Sequence, residues 1–226
     1  MDEYVRRLNE QRFPVLEGFR KSLQKYRKYG LSEQDCIDGI KIPCDFFDIP
    51  MPAMIEDLTD HPEGITMFVS SNQESLSDDV ICYNLEQLCE FGVTDKDTFT
   101  LVMTHECAHR VFQNTKLPGI NNGRWESELI ADFFIGVLAG KQLVSYKAFD
   151  SVRTGLANSH GARSHPTGGL RSKIISYAYT YVGCHDLIHN RKRTIQEYYQ
   201  IFMEWLQKHY PEIREIQAPF YGILEI

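Results

Sequence analysis

The chain's 226 residues, 42% hydrophobic and 12% aromatic, suit one globular domain with a helical prefix and supply ample core-forming side chains. With 24 basic against 31 acidic residues the formal charge is −7, so no global positive field draws it to nucleic acid or to an anionic membrane. No stretch approaches the roughly 20 apolar residues that cross a bilayer, and the charged N-terminal run lacks the apolar segment of a secretory signal, so the expectation is a cytoplasmic protein with no membrane insertion.

From Asp2 to about Tyr29 the apolar positions Val5, Leu8, Val15, Leu16, Phe19, Leu23 and Tyr26 recur at near-helical spacing, with Pro14 as a break between two helices. Residues 41–64 carry four prolines and many acids and read as irregular connection, with a short helix around Met54–Leu58. Ile65–Ser70 and Val80–Tyr83 are β-branched or aromatic runs separated by a polar segment, the pattern of two strands of a small sheet. Thr94 and Asp95 offer N-cap chemistry to a helix reaching about Phe112, after which Lys116–Gly123 is a loop.

A further helix is predicted over Arg124–Gly140 and another over Tyr146–Asn158, followed by a polar, glycine-bearing loop. Pro166 suits the first position of the next helix, whose buried stripe would be Leu170, Ile174, Ala178 and Tyr181. A last helix over Thr194–His209 directs Tyr198, Ile201, Phe202 and Trp205 to the core. These readings divide the chain into a helical prefix packed on the domain (1–60), a catalytic domain (61–210) and a C-terminal tail (211–226). The six cysteines lack any CxxC pair and read as free buried thiols, not as a disulfide scaffold or a thiolate zinc knuckle.

Residues 104–110 read THECAHR, containing HExxH. Two histidines four apart on a helix share one face, about 6 Å apart along the axis, so both imidazoles reach one metal ion. Glu106 is turned about 100° from His105. It sits beside the metal, where it is poorly placed as a ligand and well placed to take a proton from a water there as general base.

The next helix reads WESELIADFF over residues 125–134. Glu128 supplies the carboxylate that completes two imidazoles into a catalytic zinc set with one position left for water. Asp132 shares its face four residues on and suits a carboxylate that orients a ligating imidazole. An acid among Ile130, Ala131, Phe133 and Phe134 needs a buried partner, whereas Glu126 reads as part of a solvated face.

Together these residues resemble the gluzincin metallopeptidases, which share HExxH and a downstream glutamate. The likeness is closer to the branch containing the CAAX prenyl proteases and the bacterial heat-shock membrane proteases. Their ExxAD is matched by Glu128, Ala131 and Asp132, and their later HP and Arg by His165, Pro166 and Arg171. The resemblance covers roughly residues 65–182. It implies one zinc per chain at His105, His109 and Glu128, with Glu106 as base, in an α+β, mainly helical zincin-like domain with a small antiparallel sheet beside the HExxH helix. The membrane helices of those relatives are missing here, and the GxMEN motif of the aminopeptidases with similar ligand spacing is not found.

His165 has two readings: an exposed cap before a helix, or a group that stabilises the oxyanion of the substrate. Arg171 either shares the second role or holds a substrate carbonyl or a neighbouring acid. The resulting expectation is a zinc metallopeptidase, most simply an endopeptidase, acting on a peptide or protein substrate. The alternative is a non-enzymatic regulatory or binding module that keeps a structural zinc. Glu106 separates the two, since a structural zinc has no use for a base beside an open ligand position.

Overall fold

A computed structural model describes residues 30–56, 66–70, 79–113, 124–162 and 165–221. The two helices read over residues 2–29 and the loop read over residues 116–123 lie outside these described residues.

Ser32 and Asp35 cap each other reciprocally: Asp35 N–H donates to Ser32 Oγ at 3.1 Å and Ser32 N–H donates to Asp35 Oδ2 at 2.9 Å. They start helix α1 (Glu33–Phe47). This corrects the irregular reading of residues from 41 onward, because α1 runs through Pro43. Its apolar stripe of Cys36, Ile40, Cys44 and Phe47 is buried, and that burial outweighs the hydrogen bond Pro43 cannot make.

Met54 lies in a strand, not in the short helix expected there. Strands β1 (Ala53–Glu56), β2 (Thr66–Ser70) and β3 (Asp79–Tyr83) form one sheet with β3 in the centre. β2 pairs antiparallel with β3, setting Phe68 opposite Ile81, whereas β1 pairs parallel with it, setting Met54 opposite Ile81. The sheet is therefore mixed, a correction to the antiparallel expectation. The chain between β1 and β3 is long enough for the crossover that parallel pairing requires, and β2 lies within it.

Helix α2 (Leu85–Glu90), which the sequence pattern did not reveal, starts where Asn84 Oδ1 accepts from Gln87 N–H at 2.9 Å. Helix α3 (Lys96–Gln113) starts at Asp95, whose Oδ1 accepts from Thr98 N–H at 2.8 Å. Helix α4 (Arg124–Gly140) is buried almost all round, from Trp125 through Leu129–Phe134 to Ala139, and so forms the centre of the fold. One side of α4 meets α3, which in turn packs against α1.

Helix α5 (Tyr146–Ala157) is capped by Ser145, and α6 (Gly168–Tyr177) begins just after Pro166 with Thr167 as its N-cap residue. A π-helical turn (Ala178–Cys184) follows, then α7 (His185–Ile188) and α8 (Ile195–Tyr221). The wide turn moves the buried stripe of α6 from Ala178 to Val182 and leaves Tyr181 70% exposed, against the expected inward position. Gly136 lets this segment lie against α4, because a Cβ there would collide with the Ile175 carbonyl and with Ala178.

Tyr198, Phe202 and Trp205 of α8 are buried as their spacing predicts. The helix continues past His209 and through Pro211, where Ile213 is again buried. The described chain is thus mostly helical with a small sheet. Among the described residues, no helix is long and apolar enough to cross a membrane.

Candidate metal centre

The contact of α3 with α4 sets the second half of one helix against the first half of the other. His105 and His109 share a face of α3, with ring centroids 4.5 Å apart and planes nearly perpendicular. Their Nε2 atoms are 3.0 Å apart. From α4, Glu128 brings Oε2 to 3.4 Å from His105 Nε2 and Oε1 to 3.3 Å from His109 Nε2.

One ligand atom from each of the three side chains lies within 4.8 Å of the other two, close enough for all three to reach one metal ion. Among the described residues these three form the one group of metal-ligating side chains close enough to hold an ion. Glu128 Oε2 is buried without a well-aligned hydrogen-bond donor, a position that a cation could satisfy.

Asp132 stands one turn further along α4 and is completely buried. Its Oδ1 lies 3.1 Å from His105 Nδ1. From α6, Arg171 donates through Nε to Oδ2 at 2.7 Å and through Nη2 to Oδ1 at 2.8 Å, a two-pronged grip on the carboxylate. Arg171 therefore engages the neighbouring acid, one of the roles its sequence position left open, and its Nη2 also reaches 4.0 Å from Glu128 Oε2.

The charges are mutually dependent. Burial opposes the protonation of His105, but Asp132 and Glu128 outweigh it and raise its pKa to about 10. Burial likewise works against ionised Glu128, yet His105 and His109 hold its carboxyl far below the usual range. Asp132 is kept ionised against burial by Arg171 first and His105 second.

His165 lies at the mouth of the site, 52% exposed, with Nε2 3.7 Å from Glu128 Oε2. His165 and Ala162 exchange paired backbone hydrogen bonds, at 2.9 and 3.2 Å. The Ala162 carbonyl also accepts from the indole N–H of Trp125 at 3.0 Å, which ties Ala162 to the first turn of α4. Glu106 lines a cavity of about 480 Å³ together with His105, Glu128, His165 and Arg171.

The structure thus assembles all seven residues singled out in the sequence around one cluster. Two features escaped the sequence reading. Ser127 Oγ lies 3.1 Å from His109 Nδ1, giving the second ring an outer partner. Its position beside Glu128 on a helix was the available signal. Glu126 is buried rather than solvated, and desolvation pushes its carboxyl pKa up. It occupies the first turn of α4, where the helix dipole favours an acid even when water is excluded.

No protein-family model, curated protein or solved structure matches this chain.

Proposed function

We propose that the protein is a zinc-dependent peptidase of zincin-like architecture, with His105, His109 and Glu128 as metal ligands and Glu106 as general base. The observation that carries this reading is the convergence of both Nε2 atoms and the Glu128 carboxylate within 3.0–3.4 Å of one another, at a cavity that Glu106 also lines. A site that served only as a staple would close around its metal, whereas this one faces a cavity. When bound, zinc makes water acidic near neutral pH and polarises a carbonyl.

The side chains supply the rest. The Asp132 carboxylate, 3.1 Å from His105 Nδ1, favours the tautomer that keeps the Nε2 lone pair inward, and Ser127 Oγ, 3.1 Å from His109 Nδ1, stands in the corresponding place behind the second ring. Arg171 fixes Asp132 and so acts as a positioning residue. Glu106 accepts a proton from the attacking water and passes it to the leaving amine. His165, at the mouth, donates a hydrogen bond to the oxyanion developing on the scissile carbonyl.

The test is mass spectrometry of peptide-library cleavage by the zinc-loaded protein and by Glu106→Gln. Cleavage by the first and not by the second, at equal zinc content, is expected. Cleavage by both, or by neither, would favour the regulatory or binding module.

A further inference from the structure

The cavity beside Glu106 extends well beyond the metal ligands. Its apolar side-chain walls come from four elements: Phe91 and Val93 after α2, Val102 on α3, Ile135 on α4, and Val152 and Leu156 on α5. None of these carries a charge, and Ser159, which also lines the cavity, donates its hydroxyl to the Leu156 carbonyl at 2.7 Å. The cavity's 480 Å³ falls within the about 300–1,000 Å³ typical of ligand sites. Phe91 stands at the rim with 64% of its surface exposed, although an aromatic side chain of that size is ordinarily covered.

Charge separates the two halves of the cavity. Among the described residues, all the charged and titratable lining groups, His105, Glu106, Glu128, His165 and Arg171, belong to the metal centre. A lysine or aspartate side chain placed in the other half would lose its hydration and meet no charged partner among them. A leucine or phenylalanine side chain would exchange water for apolar contact on several sides.

We propose that this apolar half is a specificity pocket for one bulky aliphatic or aromatic side chain of the substrate, next to the bond held at the metal centre, with Gly155 controlling how much of it is open. The identity of the occupant as a peptide side chain rests on the peptidase reading above. Its continuity with the cluster supports that choice, since the same cavity is lined by Glu106 and by Val102 one turn earlier on α3.

Gly155 lies on the pocket face of α5. A Cβ added there meets nothing nearer than the Phe91 carbonyl at 3.9 Å, an ordinary contact. The position thus accepts a side chain without backbone strain, and leucine is a better helix former than glycine. A leucine at this point would project between α5 and Phe91 and take up the space of the occupant.

Two readouts test the proposal. In the first, acetyl-amino acid amides of Phe, Leu, Ala and Asp are titrated into zinc-loaded Glu106→Gln, which binds without turnover. Phe and Leu should bind at least about 10-fold more tightly than Ala or Asp, since a single methylene in such a pocket is worth about 10–200-fold. Adding Gly155→Leu should remove that preference, and Gly155→Ala should reduce it partially, with thermal melting confirming that each variant is folded. In the second, cleavage sites of the unaltered protein should show a bulky apolar residue at one fixed position beside the cut, replaced by small residues in Gly155→Leu.

Equal binding of the four amides, or a preference that Gly155→Leu leaves intact, overturns the pocket. Glu106-dependent cleavage with no such sequence preference overturns the pocket and leaves the peptidase reading standing. Selective binding without any cleavage supports the pocket and overturns the peptidase reading instead.

Discussion

Arg171 grips the fully buried carboxylate of Asp132 with two hydrogen bonds of 2.7 and 2.8 Å, joining α6 to α4 directly behind His105. This pair couples the position of α6 to His105 of the candidate metal centre on α3. Removing either partner strands a buried charge, which costs about 3–5 kcal/mol in comparable sites.

Arg171→Ala should therefore lower the melting temperature and, by releasing Asp132, weaken zinc binding about 10- to 100-fold. Arg171→Lys should rescue neither effect fully, because an ammonium cannot reproduce the two-pronged geometry. Thermal melting and zinc titration on the same samples check both. Native zinc affinity in a folded Arg171→Ala protein would show that Asp132 holds His105 unaided.

The charge state of His105 gives a pH prediction. Without metal its pKa is raised to about 10, burial opposing the shift and Asp132 and Glu128 driving it. A raised pKa contributes stability that is complete below the unfolded value of about 6.5 and is lost as pH rises through the folded value. The metal-stripped protein should consequently lose stability between about pH 7 and pH 10.

Zinc must displace that proton, so its apparent affinity should rise with pH across the same window, and its uptake should release protons. Calorimetric zinc titrations at several pH values check this. An affinity independent of pH between 6 and 9, a range of about three decades in proton activity, would contradict the assignment of His105 as a ligand.

His165 sits at the mouth of the site, 3.7 Å from Glu128, and is half exposed. If it serves the oxyanion, its contribution arises in the transition state, so His165→Ala should lower turnover about 100- to 1000-fold with zinc content unchanged. Steady-state kinetics on any cleaved peptide, with metal analysis alongside, decides it. Near-native turnover would return His165 to the role of a residue preceding a helix.

Much of the centre was legible because helix geometry is local. The spacing of His105 and His109 fixes their shared face, and Asp132 stood out as an acid among Ile130, Ala131, Phe133 and Phe134. The partner of that acid was not legible. Arg171 lies 39 positions away, and only the packing of α6 on α4 selects Asp132 for it over a substrate group.

Misreadings have the same origin. Pro43 looked like a helix breaker, but the buried stripe of α1 carries the helix through it. Tyr181 fitted the period of α6, and a π-helical turn then shifted that period to Val182. Glu126 looked solvated because its burial depends on neighbours that periodicity does not reveal. The apolar pocket was invisible for a related reason, since its walls are one to three residues each from separate helices and one connection.

The central claim is that His105, His109 and Glu128 together hold one zinc ion. Metal analysis of the purified protein tests it most directly, with Glu128→Ala, Glu126→Gln and the double variant His105→Ala, His109→Ala measured alongside. The account predicts about one zinc per chain in the unaltered protein and in Glu126→Gln, and almost none in the other two, because a catalytic zinc site needs all three protein ligands. Full zinc occupancy in the double histidine variant would contradict it.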